Sequence, residues 1–298
     1  MTLEEYNLEK LRNKVVIVTG SNCGIGFEAA KIFANHGAKV VLACRDDKRG
    51  KNAEKMIGNG SKYINLDLRN FKNIDKFSET IKSQFGSIDI LLNNAGVMFP
   101  PFTKTEEGLE LTFAVNYIGY FYLSLKLLNL IKNVKDSRIV NVSSIAHYSA
   151  KEIDFENLNS EQNYDKASTY NLVNLLRVMF TMELEKKLRE KEMETIAVAC
   201  HPGVAKTNLT RHLPGFLKKG FLLDIVFSTF FMSAYEGALP LVIAAAGTNV
   251  KGGDFVGIDS KRQMKGSPKI TQPNDLVFDD NLRIKLWQKT QEITGLYF

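Results

Sequence analysis

The 298-residue sequence contains three cysteines, Cys23, Cys44 and Cys200. They show no metal-ligand spacing and no even-numbered disulfide framework, which points to reduced thiols inside a cell. No cluster of histidine, cysteine and acidic residues suggests a metal site, so none is expected. Blocks of like charge are also missing. The formal net charge is +6, but the lysines are spread through helix-like segments and are not interleaved with aromatics, so no nucleic-acid partner is expected. Long hydrophobic runs are absent as well. Residues 220–234, broken by Asp224, and residues 238–246 fall short of the ~20 residues that span a bilayer. The polar, acidic residues 1–6 resemble neither a signal peptide nor an anchor, and an intracellular, cytoplasmic protein is expected. No repeat, low-complexity tract or linker divides the chain, so a single domain over residues 1–298 is expected. With 44% hydrophobic residues, a chain of this length can bury a large core without metal or disulfides.

What is present begins at Lys14. An apolar strand, Val15-Val16-Ile17-Val18-Thr19, runs into Gly20-Ser21-Asn22-Cys23-Gly24-Ile25-Gly26, and a helix follows. A strand, a tight glycine turn and a helix N-terminus form an anion site. The first-turn amides lack intrahelical partners, the helix dipole is positive there, and glycine admits a close backbone approach. The glycines fall as G-x-x-x-G-x-G, a departure from G-x-G-x-x-G, yet the strand-turn-helix context points to a dinucleotide. Downstream, short apolar strands are expected near residues 38–43, 63–68, 88–92, 138–144, 195–200 and 253–258. Helical periods fall between them, including 71–85, 105–131, 167–191 and 233–246. Strands without polar alternation, separated by helices, predict a Rossmann-type doubly wound parallel sheet with helices on both faces. Its ligands bind at the carboxyl ends of the strands.

The chemistry-bearing residues fall at those ends. Arg45 follows the second strand, where arginine suits the extra phosphate of NADP(H) and an acid would suit NAD(H); Asp46 and Asp47 fit helix caps. NADP(H) is therefore favoured over NAD(H), with a solvated surface arginine as the alternative. Asp67 can accept from an adenine amino group or cap the next helix, and Asn93-Asn94-Ala95-Gly96 can pass beside the cofactor or form a plain turn. Reduction of a carbonyl needs a proton donor at the oxygen and a polarising group, for which Tyr170 and Ser144 are candidates. His201, before a proline at a strand end, reads as structural or cofactor-lining.

Thr19-Gly20-x-x-x-Gly24-Ile25-Gly26, Asp67-Leu68, Asn93-Asn94-Ala95-Gly96, Asn116, Ser143-Ser144, Tyr170 and His201-Pro202-Gly203 with Thr207 together resemble the short-chain dehydrogenase/reductase family over nearly the whole chain. Ala43-Cys44-Arg45-Asp46, Arg138 through His147, and Phe180-Thr181-x-Glu183-Leu184 resemble its retinol-dehydrogenase-like branch. The resemblance implies NADP(H) and an apolar carbonyl or alcohol such as a retinoid, steroid or lipid aldehyde. It also implies Ser144 as carbonyl binder, Tyr170 as acid/base and Asn116 as anchor of a water relay. The implied cofactor contacts are Gly20, Ser21, Asn22, Cys23, Gly24, Ile25, Gly26, Arg45, Asp67, Leu68, Asn94, Ala95, Gly96, Tyr170, Pro202, Gly203, Val204 and Thr207.

One position departs from the family. The motif Tyr-x-x-x-Lys reads Tyr170-Asn171-Leu172-Val173-Asn174, so the cation that would lower the phenol pKa and hold the nicotinamide ribose is replaced by an amide. Lys166, four residues before Tyr170, is a weak substitute by direction. A dinucleotide-binding protein with impaired or no catalysis is the alternative. The Leu- and Phe-rich residues 213–232 occupy the place of the family's substrate flap, around 205–232. They suit an apolar substrate or peripheral contact with a membrane, and equally a pair of core helices or a dimer face. A homodimer is expected by analogy alone.

Overall fold

The computed structural model describes residues 8–204 and 232–298. Thr207 and all but the last residue of the expected flap lie outside the described residues.

The chain alternates strand and helix: β1 (Val15–Thr19), α1 (Gly24–Asn35), β2 (Lys39–Cys44), α2 (Asp47–Ile57), β3 (Lys62–Asn65), α3 (Phe71–Gln84) and β4 (Ile90–Asn93). Then come α4 (Leu111–Ile131), β5 (Arg138–Val142), α5 (Lys166–Glu190), β6 (Ile196–Cys200), α6 (Ala234–Ala246), β7 (Phe255–Ile258), β8 (Pro268–Ile270) and α7 (Asp280–Thr294). One eight-stranded sheet has the order β3-β2-β1-β4-β5-β6-β7-β8, parallel except for β8. This is the expected doubly wound fold. The chain builds one side of the sheet from β1 to β3, then crosses to β4, so a crevice opens where β1 and β4 diverge at their carboxyl ends.

Alternation along each strand divides the core between the two faces. Val16 and Val18 pack with α1, α2 and α6, whereas Ile17 packs with α3, α4, α5 and α7. Burial on both faces explains why the strands carry no polar alternation. The longest apolar helix, α4, would be long enough to cross a membrane by length and composition, but 78% of that stretch is buried against the sheet and its neighbours.

Several boundaries differ from the periodicity. The helix expected from residue 105 begins at Leu111, because a bridge between Lys104 and Glu110 holds the preceding residues extended and the Glu110 carboxylate caps Phe113 N at 2.8 Å. The third strand stops at Asn65, before Asp67, whose amide is taken by Asn73 Oδ1 at 2.6 Å. The helix carrying Tyr170 starts at Lys166, one residue earlier than its apolar period, since Asp165 caps it. Two elements were not foreseen. Strand β8 returns antiparallel along β7, and α7 buries Leu286 and Trp287.

The β6–β7 edge is closed by two buried histidines on either side of Phe255. His147 Nδ1 donates to Ser144 O at 2.6 Å, and His201 Nε2 donates to Gln263 Oε1 at 2.8 Å while its Nδ1 accepts from Gly203 N. These bonds make His201 a fixed structural group. Burial lowers both imidazoles to about 4. Because the folded values lie below the unfolded value of about 6.5, stability is fully present above pH ~6.5 and is lost as pH falls toward 4. A thermal melt at pH 4.5 should show a penalty of about 2–3 kcal/mol per histidine relative to pH 7. His147→Phe should flatten that acid-side loss, and an unchanged slope in this variant would refute the assignment.

Candidate active site

The site assembles where the ends of β1, β4 and β5 meet α5. At β1, the Thr19 hydroxyl accepts from the amides of Asn94 and Ala95 at 2.8 and 2.9 Å, and Asn94 Nδ2 returns a bond to Thr19 O at 2.8 Å. This clasp holds the glycine turn against the end of β4. Gly20 has φ +67°, and a Cβ there would lie 2.8 Å from Ala95 Cα, so both conformation and space require glycine.

The α1 N-terminus is distinctive in what it lacks. Asp46, Asn70, Glu110, Asp165, Ser233 and Asp279 cap the other α-helices that begin from loops. The N-cap of α1, Cys23, makes no side-chain cap bond, and no acid lies in its first turn. Ser21 Oγ beside it is buried without a hydrogen-bond partner among the described residues. Unmet first-turn amides, a positive dipole end and an orphaned hydroxyl fit a pyrophosphate. Asn22, Cys23, Gly24 and Ile25 complete this turn around Gly26, whose backbone packs against Asn94.

Acids after β2 are already engaged. Asp46 caps Arg49 N, and Asp47 accepts from Tyr63 Oη at 2.5 Å and Asn65 Nδ2 at 2.8 Å, bonds that hold its carboxyl below the usual range. Arg45 is exposed and its side chain pairs with no acid among the described residues. Asp67 is differently placed from a free adenine acceptor. Burial pushes its carboxyl up, but both oxygens take bonds from Arg69, at 2.6–3.1 Å, and the net effect is a lowered value. Leu68 is buried behind it, against α4.

The catalytic candidates sit on short, well-braced segments. Ser144 begins a 3-10 turn (Ile145–Ser149) that packs on α5, and its Oγ accepts from Ala146 N at 3.2 Å, leaving the hydroxyl proton free to donate. Ser143 Oγ donates to Asn174 O at 2.8 Å, tying β5 to α5. Tyr170 is half-buried, edge-on to Phe99 at 5.1 Å, and its hydroxyl has no hydrogen-bond partner among the described residues. Phe99 itself has φ +55°, an uncommon conformation for an aromatic residue. Asn116 lies in a π-helical turn (Ala114–Ile118) inside α4, and its side chain clamps Val97 N and O at 2.8 and 2.9 Å.

Asn174 is buried. Its Nδ2 donates to Tyr170 O at 2.8 Å and its Oδ1 accepts from Arg177 Nη1 at 3.0 Å, so the amide is spent inside the helix. Lys166 is exposed at the helix start. After β6, Pro202, Gly203 and Val204 are pinned by bonds from Val204 N to Met264 O and from Met232 N to Val204 O, both 2.8 Å.

Sequence reasoning missed two residues here. Tyr120 donates to Ala95 O at 2.7 Å, and Arg177 stacks over the Tyr120 ring at 4.7 Å. A signal existed for the second: Arg177 is the only charged residue between Lys166 and Glu183.

A family model described as short chain dehydrogenase matches residues 14–153. Retinol dehydrogenase 14 of Mus musculus is 33% identical over 303 residues, covering 96% of this chain and 87% of the relative. Retinol dehydrogenase 12 of Homo sapiens is 41% identical over 234 residues, covering 77% and 72%. Among solved structures, an uncharacterized protein from Mycobacterium Paratuberculosis superposes with a TM-score of 0.81 at 27% identity, covering 97% of this chain and 96% of that one. The Pseudomonas aeruginosa RhlG/NADP active-site complex shares the fold, with a TM-score of 0.68 at 20% identity over 85% and 97% of the two chains. The chain belongs to the short-chain dehydrogenase/reductase family, in its retinol-dehydrogenase-like branch, and is a nicotinamide-dependent dehydrogenase/reductase acting on CH–OH groups.

Proposed function

We propose that the chain, as a single Rossmann-type domain with a substrate flap around 205–232, uses NADP(H) to interconvert an apolar carbonyl and its alcohol, with retinoids, steroids and lipid aldehydes as the substrate class. The observation that carries this reading is the free Tyr170 hydroxyl, half-buried beside Phe99, on the helix that packs against the Ser144 turn. Bound nicotinamide supplies or accepts the hydride. Ser144 donates a hydrogen bond to the carbonyl oxygen and polarises it, and Tyr170 gives that oxygen a proton in reduction or removes it in oxidation. Asn116 holds the Val97 backbone beside them. The relatives named as retinol dehydrogenases and the aromatics of residues 213–232 support an apolar substrate, and the same residues fit peripheral contact with a membrane or a partner copy of this chain. The free cysteines fit an intracellular, cytoplasmic setting.

Arg45 supports NADP(H): the acids that could compete with it, Asp46 and Asp47, are committed to a helix cap and to Tyr63. Arg45→Ala should weaken NADPH binding by about 10–100-fold while leaving NADH nearly unchanged, measured by quenching of nucleotide fluorescence. Equal losses for both nucleotides would remove the basis for the preference.

A second reading, a dinucleotide-binding protein without turnover, draws on Asn174, which is neutral and turned into its own helix. Tyr170→Phe separates the two readings. An enzyme should lose about 10²–10⁴-fold in kcat on apolar aldehydes with NADPH affinity retained, whereas a binding module should show no activity to lose.

A further inference from the structure

Arg177 carries a buried positive charge with no counter-ion. It is 4% exposed, and no carboxylate lies within ion-pair distance of it among the described residues. Its donors go to neutral oxygens at the carboxyl ends of the strands. Nη1 binds Val142 O at 2.8 Å and Asn174 Oδ1 at 3.0 Å, and Nε binds the Asn116 carbonyl. Nη2 is buried without a partner among the described residues and lies 3.2 Å from where a Gly96 side chain would begin. A lone buried cation costs several kcal/mol unless something compensates it, and an orphaned donor adds to that cost. Its three bonds tie α5 to α4 and β5, but those acceptors are neutral oxygens that leave the charge itself unbalanced. The unpartnered Nη2 faces the Gly96 backbone at the carboxyl end of β4.

We propose that Arg177 is the relocated active-site cation of this enzyme: a positioning residue that takes over, from one turn further along α5, the charge absent at Asn174.

Residues seven apart share a helix face, separated by about 10.5 Å along the axis. A helical side chain leans toward the N-terminus, so the arginine reaches back toward Tyr170, as its bond to Asn174 three residues earlier shows. Asn116, which the resemblance implies as anchor of a water relay, lies in the π turn, and its carbonyl accepts from Nε directly. Arginine suits the role because it keeps its charge when buried. The titratable group it is shown to touch is Tyr120 on α4, over whose ring it stacks at 4.7 Å and whose phenol burial pushes up. Arg177 and Tyr170 both act electrostatically on Tyr120, which places the two within reach of one phenol.

This inference rests on the oxidoreductase reading, and the experiment separates the two. NADPH binding by fluorescence and the pH dependence of kcat/KM for oxidation of retinol with NADP are measured on the wild type, Arg177→Met, Asn174→Lys and the double variant. Oxidation needs the phenolate, so the rising limb reports the Tyr170 phenol. The wild-type midpoint should lie well below the ~10 of a free phenol. In Arg177→Met it should rise by at least about one pH unit, with about tenfold less activity at pH 7 and NADPH still bound. The double variant, which restores the charge at position 174, should bring the midpoint back. Asn174→Lys alone should gain less than about twofold, because the cation is already supplied. A wild-type midpoint near 10 overturns the proposal without recourse to any variant. A folded Arg177→Met with an unshifted profile, a gain of tenfold or more in Asn174→Lys, or NADPH binding without turnover in the wild type would each overturn it too. Failure of the wild type to bind NADPH would instead overturn the dinucleotide reading itself.

Discussion

The clasp between Thr19 and the Asn94–Ala95 amides is the constraint on which the site depends. It joins two strands that are adjacent in the sheet but separated by the whole first half of the fold. One hydroxyl accepts two amides, and a returning amide bond from Asn94 fixes the turn of Gly20 against Ala95. Everything a dinucleotide would meet at this crevice, from the open α1 amides to the Gly96 backbone, takes its position from that junction. Hydrogen bonds of this kind are individually modest, but here they are partly buried and each serves a backbone group.

A second layer of bracing sets the reactive side. Helix α5 is tied to β5 through Ser143 and Asn174, to α4 through Arg177 and Asn116, and to its own previous turn through Asn174 and Tyr170. The result is a rigid helix face carrying one free phenol. Preorganisation of this sort keeps a reacting group in place without reorganisation during the reaction.

Much of this was legible before any coordinates. The β1 turn could be read because its signal is local: an apolar strand, glycines and a helix within thirteen residues. The doubly wound sheet followed from strands buried on both faces. Strand β8 and helix α7 were not legible, because a three-residue edge strand has no periodicity to detect and α7 packs only a few apolar residues among many charges. The start of α4 was misjudged because Glu110 is at once the end of a bridge and the cap of the helix. At the site, Asn174 announced a missing charge, since the motif spacing is four residues. Arg177 did not announce itself: a charge two turns from Tyr170 looks like an interruption of an apolar face until its lack of a counter-ion is seen.

The π turn at Ala114–Ile118 couples two properties that look separate. Within that turn the Asn116 carbonyl accepts from Arg177 Nε, and the turn's one extra residue advances every later position of α4 by about 100° around the axis. Tyr120, Phe121 and Leu127, all in this later stretch, are buried in the core. A one-residue deletion between 114 and 118 would therefore do more than remove a polar contact. It would also rotate the buried residues of α4 by about 100°, so the phase of the helix and the Arg177 contact depend on the same turn.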